Sequence, residues 1–175
     1  LKFMLANALA HHHGTPPPAY NHANDIIGGP RDAVVYPTLP RLISSHSMPH
    51  PCFTAAWAQR LWRLPPHVLL LRDLRDSLAS NYAKWRARYA VDFSTYLRGD
   101  PAGRRYNSDL WWTLRFMNAW GDAWRAAPAR FVVLRYEELR ADPRAALERV
   151  NAHFALGLGA ADLEHGIAAS DKRSM

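Results

Sequence analysis

Six residues constrain this chain more than any others: His67-Val-Leu-Leu-Leu-Arg72, set between Pro65-Pro66 and the acidic turn at Asp73 and Asp76. So short an apolar run, with no alternation and bounded by breakers, predicts a strand buried on both faces, as in a parallel sheet. From Asp76 the period becomes helical. Leu78, Tyr82, Trp85 and Tyr89 share one face, and Ser77, Ser80, Lys84 and Arg88 another. The carboxyl end of such a strand, at Arg72, is expected to border a site, because helix N-termini there offer amide donors to anions.

The same grammar recurs downstream. Arg130-Phe-Val-Val-Leu-Arg135 predicts a second buried strand, preceded by a long helix from about Ser108 to Ala126 with an apolar stripe at Leu110, Leu114, Met117, Gly121 and Trp124. Asp142-Pro143 predicts a helix start, Asp as N-cap and Pro in the first position, with Leu147, Val150 and Phe154 on its buried face.

Upstream, Leu1, Met4, Leu5, Ala8 and Leu9 predict a packed amphipathic helix over Leu1 to Ala10 rather than the tail of a signal peptide. His11 to Asn24, with its His triplet and Pro16-Pro17-Pro18, reads as an exposed loop, and Ala23 to Ile27 as a helical turn ended by Gly28-Gly29-Pro30. Arg41 to His46 reads as a short strand between Pro40 and Pro49, and Phe53 to Leu64 as a helix. The sum is an α/β protein, a parallel sheet with helices on both sides, in a single domain over residues 1–175.

Composition narrows the chemistry. With 49% hydrophobic and 21% charged residues the chain is expected to fold. Its longest aliphatic run, Val68 to Leu71, is far below the roughly 20 residues of a membrane span. A lone Cys52 excludes an internal disulfide framework and a Cys-rich zinc site, and fits a reducing, cytoplasmic location. The histidines of the triplet lack i, i+4 spacing and a carboxylate partner, so no metal site is expected.

The 22 Lys and Arg exceed the 15 Asp and Glu by seven, and nineteen of the 22 are Arg, the better fork for phosphate or sulfate. Because no basic run exceeds Arg104-Arg105, a small polyanion is a better partner than nucleic acid. Arg72 and a Ser eight residues later, Ser80, can converge on one phosphate. The competing arrangement pairs Arg72 with Asp73 or Asp76 and leaves Ser77 as a cap.

VLLLRDLRDSLASNYAKW (Val68 to Trp85) resembles the 3′-phosphate-binding strand and helix of sulfotransferases that use 3′-phosphoadenosine 5′-phosphosulfate (PAPS). VVLRYEELRADPRAALERV (Val132 to Val150) resembles their following strand, loop and helix, and RLISSHSMP (Arg41 to Pro49) the strand with their catalytic His. The resemblance implies a P-loop NTPase-like sulfotransferase fold. It implies that Arg72 and Ser80 hold the 3′-phosphate of PAPS, that His46 is the general base toward a hydroxyl or amine acceptor, and that Tyr136 contacts adenine beside Ser170. It implies a small-molecule or carbohydrate acceptor and no metal. An imidazole of ordinary pKa, about 6.5, suits that base near neutral pH.

Several positions depart from the family pattern. Leu74 replaces the usual Pro, Ser44 the Lys two residues before the catalytic His, and Lys172 an aromatic that stacks on adenine. The family's Lys-x-Gly-x-Thr loop would precede Leu1 and its Arg-Lys-Gly element would follow Met175, so the resemblance implies a domain cut at both ends, from a bacterium by its Arg bias. A non-catalytic or degenerate nucleotide-binding module on the same fold is the alternative. Of Trp111-Trp112, only one can face inward, and the other is left for an acceptor site or a partner.

Overall fold

His67–Leu71 forms strand β1 and Phe131–Arg135 forms strand β2, paired in parallel from His67 opposite Phe131 to Leu71 opposite Arg135. The structure is a computed structural model that describes residues 1–29, 31–53 and 64–170. Its class is the expected one, mixed α/β with a small parallel sheet flanked by helices. One expectation about β1 fails: Leu69 is buried but Leu70 is 41% exposed. The pleat turns alternate residues to opposite faces, and the burial of β1 is concentrated on the face of Leu69.

The chain divides into two compact units, Met48–Tyr136 and the pairing of Leu1–Ser47 with Glu137–Met175. In Met48–Tyr136 the crossover between the strands carries α3 (Leu74–Tyr89), α4 (Phe93–Arg98) and α5 (Leu110–Ala126). Each starts on an aspartate whose carboxylate accepts backbone amides. Asp73 takes those of Arg75 and Asp76, Asp92 that of Thr95, and Asp109 that of Trp112. Each cap satisfies donors that an α-helix leaves without a partner.

Among the described residues, two cores stand in this unit. Leu69, Trp120, Ala123 and Phe131 close one between the sheet and α5. The other joins Leu78 and Tyr89 of α3 to Tyr96 of α4 and to Tyr106, with Tyr82 and Trp85 packed against it, so the predicted inner face of α3 is the observed one. Asn81 ties the second core's hydroxyls together, donating to Tyr96 Oη at 2.8 Å and to the Ser108 carbonyl at 2.9 Å. The stripe predicted for α5 is corrected. Trp120 and Ala123 are buried, whereas Met117 and Trp124 are 37% and 43% exposed. The helix is apolar on two sides, and the sheet takes the Trp120 side.

In the other unit, α1 (Lys2–His12) and α2 (Ala23–Ile26) are joined by α6 (Tyr136–Ala141), whose first residue belongs to Met48–Tyr136, and by α7 (Pro143–Phe154) and α8 (Ala160–Ala168). The Asp142 cap on α7 is present, accepting from the Ala145 amide at 2.9 Å. α1 is not amphipathic, because every residue from Leu5 to Ala10 is buried. It lies against α8, and the contact depends on Gly166: a Cβ there would run into the Met4 carbonyl oxygen and come within 3.0 Å of the Ala8 Cβ.

Two upstream expectations change. His11 and His12 belong to α1 instead of a loop, and both reach a carboxylate, Asp162 of α8, at 2.7 and 2.9 Å. Arg41 to His46 is not a strand; Ile43 makes one isolated parallel bridge with Gly28. Flanking prolines favour extended chain, which is not the same as a pairing partner. The helix expected over Phe53 to Leu64 falls largely on residues 54–63, outside the described residues.

Candidate functional site

Arg72 and Tyr136 are the residues immediately after β1 and β2, one register step beyond the last pair, Leu71 and Arg135. In-register parallel pairing therefore places them side by side at the carboxyl ends of the strands. The Arg72 guanidinium carbon lies 5.0 Å from the centroid of the Tyr136 ring. That is a cation–π contact, and it orients the guanidinium without using any of its five N–H donors.

Among the described residues Arg72 has one ion pair, with Nη2 3.8 Å from Asp76 Oδ2, and its side chain is 38% exposed. Exposed pairs of this kind contribute about 0 to 1 kcal/mol, so the donors remain open to a ligand. Asp73 is committed elsewhere: the amides of Asp76 and Arg75 hold its carboxyl below the ordinary value. Those two amides are thereby taken from the N-terminus of α3. An anion here would be gripped by Arg72 and by side-chain hydroxyls rather than by the first helical amides. The competing arrangement for Arg72 is present in part: it pairs weakly with Asp76, and the capping residue is Asp73, not Ser77.

The other candidate residues are placed as follows. Ser80 is exposed on α3, one turn beyond Ser77. His46 is exposed in the coil that follows the Ile43 bridge, where the Ser47 amide donates to Ser45 Oγ at 3.0 Å. Ser170 ends the turn after α8, its hydroxyl donating to the Gly166 carbonyl at 3.0 Å. Arg72, Ser80 and Tyr136 belong to Met48–Tyr136, and His46 and Ser170 to the other unit. Of the tryptophan pair, Trp111 faces outward, its indole N–H donating to the Arg98 carbonyl at 3.0 Å, while Trp112 stacks on Phe116 with ring centroids 5.0 Å apart.

A cluster that the sequence did not signal stands at the α1–α8 contact. Burial raises the Asp162 pKa, but the hydrogen bonds from His11, the Gly159 amide and His12 outweigh it and hold the carboxyl at about 2. His11 also stacks on His165 at 4.6 Å. Among the described residues no group of three or more His, Cys, Asp or Glu could hold a metal ion. No described helix is long and apolar enough to cross a membrane.

A strand-end Arg braced by an aromatic ring thus stands at the carboxyl edge of a parallel α/β frame. The sequence model of the sulfotransferase family matches residues 4–159, and the chain belongs to that family. No curated protein and no solved structure matches it.

Proposed function

We propose that the protein transfers a sulfuryl group from PAPS to a hydroxyl or amine acceptor. The observation that carries this reading is the Arg72–Tyr136 pair at the carboxyl ends of β1 and β2. A cation with open donors beside a half-buried ring suits a phosphate next to a purine. PAPS when bound supplies the sulfuryl group and an adenosine phosphate leaving group. Arg72 binds the 3′-phosphate through charge-assisted hydrogen bonds, with Ser80 donating its hydroxyl. The Tyr136 ring provides a wall for adenine, and Ser170 a further hydroxyl. His46 accepts the acceptor's proton at an imidazole nitrogen as the new oxygen–sulfur or nitrogen–sulfur bond forms. Fixed donors and cations stabilise charge on the transferring group, and the mechanism uses no metal.

The test is calorimetric binding of 3′-phosphoadenosine 5′-phosphate, followed by sulfuryl transfer from PAPS. Arg72→Ala is expected to weaken binding by about 10- to 100-fold, the loss of a charge-assisted contact. His46→Ala is expected to keep binding and lose turnover. Unchanged affinity in Arg72→Ala would remove the phosphate assignment. Nucleotide binding with no transfer by the unaltered protein would favour the non-catalytic binding module.

A further inference from the structure

The strand-end site holds a negative charge of its own. Asp76 stands in the first turn of α3 with its carboxylate 3.8 Å from Arg72 Nη2, and Ser80 lies one turn further along the same helix face. The two residues assigned to a phosphate therefore have Asp76 as a common neighbour. An anion that reaches both the guanidinium and the Ser80 hydroxyl comes close to its carboxylate.

The contacts of Asp76 define what that carboxylate does. At 3.8 Å it is beyond hydrogen-bond reach of Arg72, so it takes none of the guanidinium donors and acts through charge alone. It is not needed to aim the guanidinium, because the Tyr136 ring, its centroid 5.0 Å from the guanidinium carbon, already does so. Nor does it cap the helix. That role belongs to Asp73, which accepts the Asp76 amide at 3.2 Å. A first-turn acid also suits the helix dipole, but that role acts on stability and not on a bound nucleotide.

Resting on the sulfotransferase reading, we propose that Asp76 is a release residue: it limits the hold on the 3′-phosphate so that the spent nucleotide leaves. Sulfuryl transfer does not alter the 3′-phosphate, so contacts to it bind donor and product alike and do nothing for the chemical step. Arg72, Ser80 and the Tyr136 ring would therefore retain the product as firmly as they take the donor. A carboxylate beside the guanidinium offsets part of that attraction, because it repels a phosphate of like charge. In the empty site the same carboxylate is a weak counter-ion for Arg72, easily displaced by an arriving phosphate. Release of product rather than chemistry sets turnover in many enzymes, which gives such a group a purpose.

The experiment follows binding and dissociation of 3′-phosphoadenosine 5′-phosphate in Asp76→Asn, by calorimetry and stopped-flow displacement. The side chain is 64% exposed and Asn matches it in size, so nothing repacks. Affinity is expected to rise about 3- to 10-fold through slower dissociation, and inhibition of sulfuryl transfer by the product nucleotide is expected to deepen by the same factor. Raising salt from about 50 mM to about 1 M should remove most of the gain, since exposed charges are screened. Asp76→Glu restores a carboxylate and should return dissociation to the parent's rate.

An affinity that is unchanged or lower in Asp76→Asn would overturn the proposal, as would a gain that salt leaves intact. So would a lower melting temperature with dissociation unaltered, which would assign Asp76 to the helix terminus. Failure of the sulfotransferase reading is separately visible: the parent then does not bind the nucleotide, or Arg72→Ala binds it as well as the parent. If Arg72→Ala weakens binding while Asp76→Asn does not strengthen it, the phosphate site stands and the release role alone falls.

Discussion

The two units solve the problem of a small core in opposite ways. In the unit built on α1, α7 and α8, close approach does the packing: Ala6, Ala8 and Ala10 are fully buried, and Gly166 lets the α8 backbone touch α1. Its surface charges find partners, Arg144 with Glu148 at 3.0 Å and with Glu164 at 2.6 Å, and Arg149 with Glu138 at 3.7 Å. In Met48–Tyr136 the packing residues are large and partly polar. Asn81 donates to the hydroxyls of Tyr89 and Tyr96, and aspartates are spent on helix starts while most described cations face solvent. The first unit is arranged to balance itself, and the second leaves charge available for something else.

The comparison can be tested from its strongest point downward. Gly166→Val is expected to cost about 3 kcal/mol or more in urea unfolding, because the new side chain meets backbone that cannot move aside cheaply. A variant as stable as the parent would show that close approach does not hold α1 to α8. Asp109→Ala attacks the second unit where it is polar. It removes acceptors for the amides of Trp112 at 2.8 Å and Asp100 at 2.6 Å inside a fully buried site, and is expected to cost roughly 2 kcal/mol by thermal denaturation.

Acid should act on the first unit through Asp162. Its folded pKa, about 2, is below the ordinary 3.8, so its contribution is fully present above that value and is lost as pH falls toward 2. The loss is about 2 kcal/mol, read as the difference in pH dependence between the protein and Asp162→Asn. Parallel profiles for the two would rule out the histidine–aspartate cluster as a source of stability. The smallest effect is shared. Ala90 ends α3 and Ala155 ends α7, each with φ at 52°, so Ala90→Gly and Ala155→Gly should each stabilise by about 0.5 kcal/mol. If only one does so, the two helix ends are not equivalent.

What could be read from the sequence was local. A continuous apolar run after Pro-Pro is enough to mark β1, Asp142-Pro143 is enough to start α7, and the Leu78, Tyr82, Trp85, Tyr89 spacing is enough to give the inner face of α3. Arg72 at a strand end follows from the same run. The pattern could not choose between the two apolar sides of α5, because that choice is made by the sheet. Nor could it bring His11 and His12 to Asp162, some 150 residues away. The Arg72–Tyr136 contact lies between these cases. Each residue is visible as a strand end, but their meeting depends on parallel register, which no single stretch of sequence sets.

That register also fixes when the site can exist. Arg72 and Tyr136 are 64 residues apart, so their contact waits on closure of the entire crossover and on parallel pairing, a slow, non-local step in folding. During synthesis Arg72 emerges well before the ring that faces it has been made. Until β2 docks, Arg72 has no ring beside it, and the pair exists only once both strands of the sheet are in register.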